Sequence, residues 1–297
     1  MADLKAETAF SIPGRVAVIT GGAGGLGTSV ARCFLTNGAS VTLVDVSASA
    51  LESTKSALQA LKTDFRLPGS ISTVQGDLST SEGVKEVANK ILSTHETLDI
   101  LIHAAGIRVL NGKTFEPGNS LESLVEATNS LAWEDMERSF RINVMSQYYL
   151  TAELLSLLGA AAKKNGGRDG RGCVICFSSA AGRHNAQFVP AYQLTKAAVD
   201  HLVRIMAAEF ADHYIRVNAI APGIFPSGMC SIDKNDPNSN IKLAFDMPAR
   251  RPASEMEMAA SVLYLASPAG AYTTGHHLVA DGGRLLVAAG RISKPKL

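Results

Sequence analysis

A tyrosine and a lysine four residues apart, in Tyr192-Gln-Leu-Thr-Lys196, follow a serine, Ser179, thirteen residues upstream. These three side chains are the ones in this sequence best suited to moving a proton. In a helical segment, residues i and i+4 share one face, so the phenol and the ammonium stand side by side. A phenol ordinarily titrates near ~10, and a neighbouring cation favours its ionised form. Bringing it to about 7 takes roughly 4 kcal/mol, more than one lysine supplies, so a second positive charge is expected nearby. Ser179 closes an apolar run just before Ala180-Ala-Gly182 and can donate a hydrogen bond to a carbonyl oxygen. Taken singly, each residue has an ordinary explanation: a surface pair on a helix, or a serine capping a turn. Together they describe general acid–base chemistry at a substrate oxygen.

A second constellation lies near the start of the chain. Thr20-Gly-Gly-Ala-Gly-Gly-Leu-Gly27 separates an apolar run from a helical pattern. Glycines there permit a tight turn and let a pyrophosphate approach the N–H groups at a helix N-terminus. Thr28 stands where a nucleoside-triphosphate P-loop needs lysine, which argues against that reading. A dinucleotide site instead requires an acidic residue at the end of the next strand. Asp45 closes SVTLVD, 20 residues after Gly25. A carboxylate there suits the two ribose hydroxyls of NAD(H) and repels the extra phosphate of NADP(H). No Arg or Lys stands in the turn or just after Asp45, so NAD(H) is the expected cofactor and NADP(H) the second choice. The nicotinamide cation then supplies the second charge that Tyr192 needs.

Both constellations need a scaffold. Strands are predicted at Arg15–Thr20, Ser40–Val46, Ser72–Gly76, Leu98–His103, Gly172–Ser178, Ile215–Ile220 and His277–Ala280. Helical patterns lie near 25–37, 47–62, 80–95, 131–164, 190–213 and 254–267. This alternation predicts a doubly wound (Rossmann-type) α/β fold, a parallel seven-stranded sheet with helices on both faces. No linker divides residues 1–297, which read as one dinucleotide-binding and catalytic domain. Two irregular stretches, 107–130 and 224–250, follow strand ends, where open α/β sheets bind ligands. They are expected to be an insertion beside the cleft and a substrate loop.

Lys+Arg total 28 and Asp+Glu 27, a formal charge of +1, which speaks against nucleic-acid or membrane-surface partners. There is no secretory leader pattern and no apolar run of membrane-spanning length, so a cytoplasmic protein is expected. The last residues, Ser293-Lys-Pro-Lys-Leu297, approach a peroxisomal tripeptide, but Pro295 stands where a small residue belongs. Four cysteines are too few for a disulfide scaffold. Cys173 and Cys176 spell CxxC on a strand, where i and i+3 point to opposite faces, and His276-His277 alternate likewise, so no metal site is expected. A hydrolase nucleophile at Ser179 would want a GxSxG elbow, which Phe177-Ser-Ser-Ala-Ala181 lacks.

The ordered set of motifs resembles the short-chain dehydrogenase/reductase family. Residues 20–27 fit its TGxxxGxG turn, His103-Ala-Ala-Gly106 its NNAG segment, and Asn143 its helix-borne asparagine. Ser179, Tyr192 and Lys196 fit its Ser and YxxxK at its usual spacing, and Pro222-Gly223 and Asp281-Gly-Gly283 complete a series covering roughly 12–284. The resemblance implies that Tyr192 is the general acid/base and that Ser179 polarises the substrate carbonyl or hydroxyl. It further implies that Lys196 lowers the Tyr192 pKa and bonds the nicotinamide ribose, and that Asn143 holds a water in a proton relay. By the same resemblance Gly21, Gly24, Gly25, Leu26, Gly27, Asp45 and Val46 would line the cofactor. Asp77 and Leu78 would meet its adenine. His103, Ala105, Gly106, Tyr192, Lys196, Pro222, Gly223 and Ser227 would also bind the cofactor, and Ile224 would meet its nicotinamide carboxamide through its main chain. The family's asparagines are replaced at His103 and Ala104, so hydrogen bonds in that strand must be remade.

The expected function is hydride transfer between NAD(H) and a secondary alcohol or ketone of a small to medium lipophilic molecule. The long loops show no charged cluster suggesting a phosphate, sugar nucleotide or acyl carrier. A non-redox enzyme on the same scaffold (dehydratase, isomerase or cyclase) is the alternative. A binding module is disfavoured, having no need of Asn143, Ser179, Tyr192 and Lys196 together. The apolar faces of 131–164 and 190–213 suggest a homodimer or homotetramer.

Overall fold

The computed structural model describes residues 5–233, 235–236 and 239–288, so the C-terminal tripeptide lies outside the described residues. Seven strands form one sheet: β1 (Val16–Thr20), β2 (Ser40–Asp45), β3 (Ile71–Gln75), β4 (Ile100–His103), β5 (Cys173–Phe177), β6 (Arg216–Pro222) and β7 (His277–Ala280). Their order is β3-β2-β1-β4-β5-β6-β7, and every neighbouring pair is parallel. The chain winds outward from β1 to β3, then returns to β4 beside β1 and winds the other way. That reversal leaves a crevice beyond the carboxyl ends of β1 and β4. The glycine-rich turn follows β1, and Gly106 follows β4.

The helices are α1 (Ala6–Ala9), α2 (Gly25–Thr36), α3 (Ala48–Phe65), α4 (Ser81–Thr94), α5 (Leu121–Asn129), α6 (Trp133–Phe140), α7 (Ser146–Glu153), α8 (Leu155–Ala162), α9 (Pro190–Glu209), α10 (Glu255–Ala266) and α11 (Arg284–Val287). Alternate strand residues feed two cores, as strands buried on both faces must. Ala17, Ile19, Ile100, Ile102, Cys173 and Ile175 pack with Phe34 and Val262 on one side. Val18, Leu101, Val174 and Cys176 pack with Ile91, Leu150 and Val203 on the other. Cys173 and Cys176 therefore face apart, and all four cysteines are free thiols. His277 Nε2 sits 2.7 Å from the Asp200 carbonyl oxygen, and no group of metal-ligating side chains gathers among the described residues. No described helix is long and apolar enough to cross a membrane.

One element departs from the sequence pattern. The single helix expected over 131–164 breaks into α6, a π turn at Arg141–Met145, α7 and α8, ending in a 3-10 turn at Lys164–Gly167. Apolar periodicity continues across all of them, which is why the pattern reads as one helix. The 107–130 stretch holds α5, whose first turn is capped by the Ser120 hydroxyl accepting from Ser123 N–H. The 224–250 stretch holds a 3-10 turn at Ile241–Asp246.

Candidate active site

Local sequence explains how the proton-handling residues are held. Pro190 occupies the first turn of α9, where its missing N–H costs nothing. Lys196, almost wholly buried, donates from Nζ to the Phe177 carbonyl at the end of β5 (2.7 Å). Ser178 Oγ donates back to the Lys196 carbonyl (3.2 Å). These two bonds staple the front of α9 to the end of β5, just before Ser179. Ser179 Oγ accepts from Ala181 N–H (3.1 Å), which leaves the hydroxyl proton to be donated, and the hydroxyl hydrogen-bonds with the Tyr192 phenol.

Burial raises the Tyr192 pKa, and the opposing influences are the Ser179 hydroxyl and the charge of Arg108. The Lys196 ammonium is turned to the Phe177 carbonyl and lies 5.5 Å from the Tyr192 ring centre. Burial pushes Lys196 itself down to about 8, with the charges of Cys176 and Asp200 acting the other way. Loss of hydration disfavours both charged forms, and sequence spacing carries no measure of it.

Asn143 is fully buried in the π turn. Its Oδ1 accepts from Ile107 N–H (2.8 Å), and its Nδ2 donates to Ile107 O (2.9 Å) and Thr195 Oγ1 (3.0 Å). Both amide hydrogens are thus engaged within the protein, so the side chain clamps the segment after β4 to α9. Its carbonyl oxygen accepts from Gln147 Nε2 (2.7 Å).

The glycine turn shapes the other end of the cleft. Gly21 has φ +64°, and a Cβ there would stand 2.7 Å from Ala105 N. A Cβ on Gly27 would run into the Gly21 carbonyl. The Gly24 N-cap of α2 offers no side-chain oxygen, so the first-turn N–H groups await an acceptor. A narrow cradle with an uncapped helix start fits a dinucleotide pyrophosphate. Gly21, Gly24, Gly25, Leu26, Gly27, Gly106, Ser179, Tyr192, Lys196, Pro222, Gly223, Ile224 and Ser227 all line this one cleft.

The remaining predicted positions stand around it. Asp45 ends β2, accepting from Ala23 N–H (3.3 Å) on Oδ2 and Ser47 N–H (3.2 Å) on Oδ1, so its carboxylate is tied to the glycine turn. Val46 beside it is exposed. Asp77 holds the turn after β3 through Ser79 N–H (2.8 Å), while Leu78 is buried in the core. Ala105 N–H donates to Thr20 Oγ1 (3.2 Å). The Ile224 carbonyl accepts from Ala253 N–H (2.9 Å). The His103 side chain is buried against α7, with Nε2 2.8 Å from Thr151 Oγ1.

Sequence reasoning missed four contributors. Arg108 and Arg284 line the cleft, and Thr195 and Gln147 hold Asn143. Only proximity to Gly106 and to Asp281-Gly-Gly283 could have flagged the arginines.

Comparison with known proteins agrees with this geometry. A family model described as enoyl-(acyl carrier protein) reductase matches residues 21–284. The chain is 33% identical over 276 residues to the rhamnolipids biosynthesis 3-oxoacyl-(acyl-carrier-protein) reductase of Pseudomonas aeruginosa, covering 92% of this chain and 97% of that protein. It is 30% identical over 289 residues to the short-chain dehydrogenase/reductase PhomF of Diaporthe leptostromiformis, covering 96% of each. Among solved structures, the Pseudomonas aeruginosa RhlG/NADP active-site complex superimposes with a TM-score of 0.78 at 33% identity, covering 93% of this chain and 98% of that one. With its parallel sheet and its glycine-rich turn, the chain belongs to the short-chain dehydrogenase/reductase family.

Proposed function

We propose that this protein interconverts a ketone and the corresponding secondary alcohol, using NAD(H) in preference to NADP(H). The observation that carries the reading is the single cleft in which Ser179, Tyr192 and Lys196 face the glycine cradle. The bound nicotinamide dinucleotide would supply or accept the hydride. Ser179 donates its hydroxyl proton to the substrate oxygen and orients it. Tyr192 gives that oxygen a proton in reduction and takes one in oxidation. Lys196, poised near about 8, can pass a proton on from the buried end of α9. Asn143 positions the loop after β4 and so the floor of the site. Phe177, Phe225 and Met229 give the cleft an apolar wall for the body of the substrate.

Cofactor choice rests on Asp45. Its carboxylate, fixed against the glycine turn, would meet ribose hydroxyls and repel a phosphate. Fluorescence titration with NADH and NADPH, repeated on Asp45→Ala with Val46→Arg, tests this. Tighter NADH binding that reverses in the variant supports it; an unchanged preference refutes it. The proton role is tested by Tyr192→Phe with a panel of ketones, where turnover should fall by roughly 100-fold or more. Turnover surviving that change refutes it. Exposed Met145, Tyr148 and Tyr149, with Leu194 and Ile205 of α9, support self-association, which sedimentation would measure.

A further inference from the structure

We infer that the substrate carries an anionic group, a carboxylate or its equivalent, recognised by Arg108 and Arg284 across the active-site cleft. This rests on the hydride-transfer reading and names the substrate class of that site. The two arginines are remote in sequence, one two residues beyond Gly106 after β4, the other opening α11 after β7. The fold brings both, half-buried, to the cleft that holds Ser179 and Tyr192. Lys196 adds a third basic side chain, and no Asp or Glu lines the cleft among the described residues.

Their places put them on the substrate side. In the sheet order, β4 and β7 lie on the opposite side of β1 from β2 and β3, the half that carries Asp45 and Asp77. The charge of Arg108 bears on the Tyr192 phenol, and that of Arg284 on His184, in the segment between Ser179 and Tyr192. α11 packs against the turn at Ala180–Arg183. The acidic group Asp281 also acts on His184. Its carboxylate is held by the chain, accepting from Gly283 N–H (2.9 Å) and Leu285 N–H (2.8 Å). Among the described residues no carboxylate pairs with the Arg284 guanidinium, which therefore keeps its fork for a ligand. The apolar wall and the basic flanks together fit an amphiphilic keto acid better than a neutral lipophilic ketone.

Electrostatics of this kind separate an acid from its ester without changing the reacting carbonyl. A site built to pair a charged group rejects the analogue lacking it. The test compares levulinate, benzoylformate and benzoylpropionate, each against its own methyl ester, by kcat/KM with the preferred reduced dinucleotide. Cofactor affinity and thermal unfolding are measured in parallel to establish that each variant is folded. At least one acid should exceed its ester by tenfold or more, chiefly through KM. Arg284→Met and Arg108→Met should each cut that ratio by tenfold or more, and Arg284→Lys should restore part of it. Esters reduced as well as acids, or a ratio untouched by both methionine variants, overturns the inference while leaving hydride transfer standing. A loss of dinucleotide affinity in Arg284→Met with the ratio unchanged assigns that arginine to the cofactor and also overturns it. Bound dinucleotide with no ketone reduced, acid or ester, refutes the hydride-transfer reading instead.

Discussion

His103 should make this protein acid-sensitive through a single buried imidazole. Thr151 Oγ1 donates its one proton to the Gln147 carbonyl (2.7 Å), so it can only accept from His103 Nε2–H at 2.8 Å. The ring is therefore the neutral Nε2–H tautomer, and adding a proton creates a charge in a site 1% exposed. Burial lowers its pKa from 6.5 to about 3. Because the folded value lies below the unfolded one, the unfolded state binds the extra proton first as pH falls. Stability is complete above the unfolded pKa and declines below it, down to the folded value. Between pH 7.5 and pH 5 the linkage integral gives a loss of about 2 kcal/mol from this residue alone. Urea unfolding of the wild type and of His103→Gln at the two pH values measures it. The glutamine keeps a donor but cannot titrate, so its loss over that interval should be smaller by about 2 kcal/mol. Equal losses in the two proteins would refute the assignment of a neutral, desolvated imidazole.

Three further outcomes are expected. Gly21→Ala places a Cβ 2.7 Å from Ala105 N at φ +64°. Dinucleotide affinity should fall at least about tenfold, about 1.4 kcal/mol, by equilibrium titration. Arg216, 7% exposed, donates to the carbonyls of Gly170, Leu265, Gly270 and Thr273. Arg216→Met removes all four bonds, leaving Thr273 O only Asn218 Nδ2 and Leu265 O only the weak Cys173 thiol among side-chain donors, and should cost about 3 kcal/mol or more in denaturant unfolding; a loss below about 1 kcal/mol would contradict that role. Burial pushes the Cys33 and Cys176 thiols up to about 11 and about 12. A thiol reagent at pH 8 should therefore label them slowly in the native protein and quickly after unfolding.

The strands were legible because β1, β4, β5 and β6 are short apolar runs buried on both faces, and their positions moved by only a residue or two. The grouping of Tyr192 with Lys196 in one cleft was legible because a helix keeps i and i+4 on one face, so the pair needed no tertiary information. What stayed hidden depends on distant contacts. Arg108 follows the central strand β4 and Arg284 the edge strand β7, and only the folded sheet brings both to one cleft. The rise in the Tyr192 pKa reflects burial, and the engagement of Lys196 with Phe177 O depends on how α9 docks. The π turn leaves no mark in apolar periodicity, because one extra residue preserves an apolar neighbour on nearly every side.

That π turn sets the phase of a screw. It winds one residue more than the helix it interrupts, and about 100° of rotation separates α6 on one side of it from α7 on the other. On its cleft side Asn143 is locked to Ile107 and Thr195; just past it, Gln147 and Thr151 are locked to Asn143 and to His103. The two halves are thus indexed to different parts of the molecule. Exchanging a side chain here loosens one of these locks, whereas adding or removing one residue puts the loop after β4 and the core out of step at a stroke.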